Sequence, residues 1–253
     1  MDDLLAASRG AMVLGDVRLP SGHWFPEHVH ADHHQLVWAA RGVVAVAVGG
    51  ARWVLPTTRA LWLPAGTVHR TGAMGGAVLR GVFCPAQHAS RACSPLDWRT
   101  PQLVKVGSLL RELLGYLLRA DLAADARERA ESVLFDLLEP MAVIPVRAPM
   151  PREPRAARLA KRLVAHPSRA ATLRDLAGEC GLSERTLARI WAAETGLSFG
   201  QWRAQARLRA ALPLLAEGAT VERVAERIGY SSASAFAAAF RRAVGVSPGQ
   251  YFS

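Results

Sequence analysis

Apolar positions across residues 12–84 come in short runs broken by Gly and Pro: VVAVAV at 43–48, RWVL at 52–55, ALWLP at 60–64 and AVLRGVF at 77–83. Runs this short, recurring about every ten residues, are the signature of a small all-β barrel or sandwich. From Pro101 the period changes. Leu103, Val106, Leu110, Leu113, Leu114 and Leu117 recur at three and four, which is one apolar helix face. Leu122, Ala126, Val133, Leu134, Leu137 and Leu138 mark a second such segment. Two amphipathic helices in succession predict a helical hairpin over 101–139, packed either on the barrel or at a subunit interface. The stretch EPMAVIPVRAPMPREP (139–154) holds five prolines in sixteen residues. It reads as a semi-extended linker, and the domain boundary falls within it, at 140–154.

Beyond the linker the pattern is helical to the end, and it repeats. TLRDLAGECGLS (172–183) aligns with TVERVAERIGYS (220–231) at an offset of 48. Leu173, Leu176, Ala177 and Gly181 match Val221, Val224, Ala225 and Gly229. After one inserted residue, Ser183, Leu187, Trp191 and Gly196 match Ser232, Phe236, Phe240 and Gly245. Each unit is a short helix, a glycine turn, a serine N-cap and a second helix ending at Gly, which is a helix-turn-helix. The two units span about 172–195 and 220–245.

Charge adds a partner to this picture. Of the net +10 of the 253 residues, most lies in 151–253, where 16 basic residues face 8 acidic ones. A compact basic domain beside a near-neutral one points to a polyanion, DNA or RNA before membrane. Nearly all of the basic charge is arginine, the residue suited to forked contacts with phosphate and guanine. Cys84, Cys93 and Cys180 stand at unrelated spacings and make neither a disulfide framework nor a Cys-rich zinc site. The chain opens on the acidic MDDLLAASRG and has no apolar run long enough to span a bilayer, so a cytoplasmic protein is expected.

The segments GLSERTLARIWAAETG and IGYSSASAFAAAFRRAVGVSPGQYF resemble the paired helix-turn-helix motifs of AraC/XylS-family transcriptional regulators, a likeness covering roughly residues 155–253. The resemblance implies double-stranded promoter DNA as partner, with RNA polymerase as a further one if the protein is an activator. Carried over by position, the base-facing residues of the first recognition helix are Arg185, Ala188 and Arg189. The second helix departs from the pattern, since Ala233, Ser234, Ala237 and Ala238 offer almost no donors. Ser232, Arg241 and Arg242 remain as candidates for phosphate. Pro213 interrupts the helix that links the two units.

In the first domain, His28-x-His30-x4-Gln35-x6-Gly42 resembles the first cupin motif and Pro64-x-Gly66-x2-His69 the second. An α+β protein of two domains is therefore expected. Residues 1–100 form a cupin-like sensor barrel, 101–139 a hairpin for homodimerisation, and 155–253 the DNA-binding domain. On a strand His28 and His30 share a face. With His69 they make a candidate site for a divalent transition metal (Zn, Fe, Ni or Cu) or the polar wall of an effector pocket that also includes Gln35 and Trp38. His33 and His34 are expected to face solvent. Metal cupins usually carry glutamate where Gln35 stands, so the resemblance implies sensing rather than catalysis, and no catalytic residue is assigned. The rival readings are a cupin metalloenzyme of dioxygenase or isomerase type fused to a DNA-binding domain, and a barrel that only dimerises.

Overall fold

The computed structural model describes residues 12–89, 99–141 and 146–252. Cys93, the acidic N-terminal segment and residues 142–145 of the proline-rich stretch lie outside these. Two compact units divide the chain near residue 143.

The first unit holds nine described strands in two sheets: β1 (Val13–Leu19), β2 (His33–Arg41), β3 (Val44–Val48), β4 (Ala51–Leu55), β5 (Arg59–Leu63), β6 (Arg70–Ala73), β7 (Ala77–Pro85), β8 (Gln102–Lys105) and β9 (Glu139–Met141). One sheet has the order β1-β7-β2-β5-β8-β9, and β4, β3 and β6 lie side by side in the other. Neighbours in the larger sheet are antiparallel, with Gln35 opposite both Leu63 and Phe83. Val37, Ala39, Val44, Val46, Leu55, Leu61, Leu63 and Leu79 fill the space between the sheets.

The other face of the large sheet is covered by helices. After the short α1 (Ala86–Ala89), the hairpin is α2 (Ser108–Leu117) and α3 (Ala124–Asp136). Leu110, Leu114, Leu117, Ala130, Leu134 and Phe135 pack with Leu36, Trp38, Trp62 and Val82 in one buried cluster. The hairpin thus docks on its own barrel. It also begins later than the leucine spacing predicts, because 102–105 is strand β8, paired with β5. Leu103 and Val104 are buried on opposite sides of that strand, in different clusters. A strand buried on both faces is apolar at successive positions, which mimicked the start of a helix face.

The second unit is helical: α4 (Pro154–Ala165), α5 (Leu173–Glu179), α6 (Glu184–Thr195), α7 (Phe199–Ala216), α8 (Val221–Ile228), α9 (Ala233–Val244) and α10 (Pro248–Phe252). The caps are those the residues favour. Thr172 and Ser198 form capping boxes with Asp175 and Gln201, and Ser183, Thr220 and Ser232 each accept from a backbone N–H one turn on. Leu187, Trp191, Phe236 and Phe240 are fully buried. The ring of Trp191 meets those of Trp202 and Phe199 edge-on, and Phe240 meets Phe236 and Tyr251 in the same way. The end of the proline-rich stretch belongs to this unit: Trp202 Nε1 donates to the Pro149 carbonyl at 2.6 Å, and the amides of Arg152 and Glu153 donate to Glu194. Helix α7 runs on through Pro213.

One wedge joins the two helix-turn-helix units. Arg203 and Arg207, a turn apart on α7, donate to the carbonyls of Ala171 (2.6 Å), Arg169 and Pro167 (3.0 Å) in the loop before α5. The Arg207 guanidinium also lies 5.4 Å from the Tyr230 ring centroid. Beside Arg207, Gly229 caps α8 at φ +83°, where a Cβ would stand 2.6 Å from Ser168 Cα. Glycine is required there twice over, for the left-handed backbone and for the close approach.

Two stability measurements test this packing. Leu114→Ala empties a fully buried position between hairpin and sheet, and should lower unfolding free energy by about 2–5 kcal/mol in urea denaturation. Gly229→Ala adds backbone strain of about 1–2 kcal/mol to the clash with Ser168. It should destabilise the helical unit while the barrel's own transition stays in place.

Candidate functional site

Three of the histidines converge at one end of the barrel. Residues 28 and 69 pair as an isolated bridge, His28 N to His69 O at 3.0 Å and His69 N to His28 O at 2.9 Å, and Gly66 N donates to His30 O at 2.8 Å. Gly66, at φ +78°, makes the turn that brings His69 back along His28. In this extended pairing, Val29 and Val68 point to solvent while His28, His30 and His69 turn inward. The donor nitrogens of the three rings lie within 4.8 Å of one another. Ring centroids are 4.3 Å apart for His28 and His69, 5.1 Å for His28 and His30, and 5.6 Å for His30 and His69.

Two tautomers are set by the backbone. His28 Nδ1 donates to the Pro26 carbonyl and His69 Nδ1 to the Thr67 carbonyl, each at 2.9 Å. In the neutral ring this leaves the lone pair on Nε2. Both Nε2 atoms are buried and have no hydrogen-bond partner among the described residues. Burial above all, with the neighbouring His28 and His30 rings, lowers the pKa of His69 to about 4 against the opposing bond to Thr67. His69 is thus neutral at physiological pH.

The remaining residues expected at the pocket divide. Gln35 faces between the sheets, buried, its Oε1 without a partner among the described residues, in a small cavity also lined by Val13, Val17, Leu79 and Phe83. Trp38 does not line that space. Three positions along β2 from Gln35, it points to the opposite face, packs under the hairpin, and donates from Nε1 to the Thr57 carbonyl at 2.8 Å. The same parity corrects His34, which is buried against Trp62 (4.9 Å between centroids) and accepts from Ala65 N at 3.0 Å. Phe83 was not expected at the site. It pairs with Gln35 and sets its ring 4.9 Å from His30. The Pro26 and Thr67 carbonyls could not have been found from sequence, since every residue carries one.

In the helical unit, Arg185 and Arg189 are exposed one turn apart on α6, with Ala188 half-buried beside them. On α9 the exposed positions are Ser234 and Ala238, followed by Arg241 and Arg242 in the last turn. Ser232 is the exposed N-cap, its Oγ accepting from Ala235 N at 3.1 Å. Arg203 and Arg207, absent from the expected set, hold the loop before the first unit rather than facing outward. No helix among the described residues is long and apolar enough to cross a membrane.

Comparison with known proteins matches a domain to each of these two regions. Residues 14–138 match the model of the AraC-like ligand binding domain, and residues 176–253 match a helix-turn-helix domain. The chain is 33% identical over 231 residues to the HTH-type transcriptional regulator NimR of Escherichia coli, covering 90% of this chain and 82% of that protein. It is 37% identical over 108 residues to the HTH-type transcriptional regulator RipA of Corynebacterium diphtheriae, 42% of this chain and 32% of RipA. Among solved structures it is similar to the C-terminal domain of AraT from Geobacillus stearothermophilus, with 32% identity, 40% of this chain and 84% of that one, and a TM-score of 0.38. These curated relatives are transcriptional regulators rather than enzymes. The chain belongs to the AraC family of DNA-binding transcriptional regulators and carries that family's ligand-binding domain ahead of its helix-turn-helix domain.

Proposed function

We propose that this regulator reads promoter DNA mainly with its first helix-turn-helix and holds the backbone with its second. The observation that carries this reading is the contrast between α6, which exposes Arg185 and Arg189, and α9, which exposes Ser234 and Ala238. An arginine in the major groove forks onto guanine O6 and N7, whereas a serine and a methyl offer little discrimination. Arg241, Arg242 and Ser232 then serve as phosphate contacts, which fix register without reading sequence. The second half-site is read through backbone and shape.

The barrel is the sensor of a small molecule or metal, acting in the cytoplasm. Its effector must bind the DNA-competent arrangement better than the other one, since equal affinity shifts nothing. A homodimer is the working form in this reading. Leu109, Tyr116 and Val133 of the hairpin are exposed apolar residues that a second copy would cover. If the protein activates transcription, RNA polymerase is a further partner.

Binding-site selection followed by titration of the best duplex tests the readout. Selected sites should show their sharpest base preferences in the half contacted by α6. Arg189→Ala should weaken specific binding by about 1–3 kcal/mol and relax one base pair. Arg242→Ala should weaken all sequences alike and reduce the salt slope by about one ion. Sharper preferences in the second half-site, or wild-type binding by both variants, would overturn this reading.

A further inference from the structure

We propose that Glu184, the first residue of α6, reads a cytosine, its carboxylate accepting from the N4 amino group of the base in the major groove. The inference rests on the reading given above, in which α6 carries the sequence recognition. Ser183 caps α6, its Oγ accepting from Thr186 N at 3.1 Å, and this cap makes Glu184 the first helical residue. The N-terminal residues of a recognition helix are those that meet base edges. Glu184 is exposed, and one turn on in the same row stands Ala188, too short to screen it.

A carboxylate brought against DNA is repelled by phosphate, and the first module offsets this. Arg174, the second residue of α5, donates from Nε to Glu184 Oε2 at 3.3 Å. The two side chains are 86% and 48% exposed, and a pair this open contributes little to stability. The terminal nitrogens of Arg174 make no hydrogen bond among the described residues. The first helix of a helix-turn-helix crosses the DNA backbone. Arg174 is therefore placed to hold the acid with one edge and a phosphate oxygen with the other, which aims Glu184 into the groove.

Two bases offer a donor in that groove, cytosine at N4 and adenine at N6. Guanine O6 and N7 and thymine O4 are acceptors and repel a carboxylate. Adenine sets its N7 acceptor beside N6, against the second carboxylate oxygen. Cytosine carries the donor with no acceptor on the same base. Glu184 precedes Arg189 by five residues, about 7.5 Å along the helix, or roughly two base steps of about 3.4 Å. The cytosine thus falls within about two or three base pairs of the guanine read by Arg189. In the second module the aligned residue is Ala233, which has no side-chain acceptor.

The experiment compares binding-site selections by the full chain and its Glu184→Ala, Glu184→Gln and Arg189→Ala variants, followed by titration of the selected duplexes and of an unrelated one. Wild type should select a cytosine at that distance, and replacing it should cost at least about fivefold in affinity, the lower end of one base contact. Glu184→Ala should lose the preference and bind the unrelated duplex more tightly than wild type, since a negative charge beside phosphate is gone. Glu184→Gln should turn the preference toward adenine, because glutamine accepts from N6 and donates to N7. An acid in the first turn also stabilises its helix through the dipole. Were that its whole role, the variants would melt at lower temperature with wild-type base preferences. That result, or a wild type indifferent to cytosine there, overturns the inference. Arg189→Ala separates the two readings. If it relaxes a base pair while both Glu184 variants keep the wild-type profile, this inference alone fails; if it too changes nothing, the reading of α6 fails with it.

Discussion

Strand β2 is buried on both sides, and the first unit is organised around that constraint. Its alternation sends Gln35, Val37 and Ala39 between the sheets and His34, Leu36 and Trp38 under the hairpin. A slip of one residue would exchange the two sets, placing tryptophan in the inter-sheet core and a glutamine against leucines. Gln35 faces Leu63 in β5, and ahead of the strand the stretch 28–30 lies against 66–69 through a separate bridge, one residue out of that register.

The second unit solves a different problem, that of holding two small helical modules in one geometry. The long α7 contributes Trp202 and Ala206 to the first core, and Leu208, Ala211 and Leu212 are buried further along it. The arginine wedge then locks the loop before α5 against the turn of the second module. Two charged side chains are spent on carbonyls rather than on surface contacts. Burial lowers the basicity of both Arg203 and Arg207, a cost offset by hydrogen bonds from charged donors.

Much of this was legible in the chain, and the physical reasons are specific. The helix-turn-helix repeat was readable because caps and turns are local: Ser183, Ser232 and Gly229 act on residues within one turn of themselves. The histidine convergence was readable because HxH on an extended segment has one possible facing. Residues 102–105 were misread because a strand buried on both faces loses its alternation. Trp38 was misplaced because, three residues from Gln35 on one strand, it belongs to the opposite face. His34, two residues from Leu36, followed the same parity into the interior layer. The wedge was invisible to pattern reading, since it joins residues over thirty positions apart through main-chain atoms.

That last property bears on how the domain tolerates change over generations. The donors on α7 engage the carbonyls of Pro167, Arg169 and Ala171, groups that persist whatever side chain occupies those positions. The loop's identity can drift while its anchorage is inherited intact. Arg203 and Arg207 have no such latitude, and neither does Gly229 across from Ser168. The geometry between the two helix-turn-helix modules is thus guarded by three residues, leaving the intervening loop open to variation.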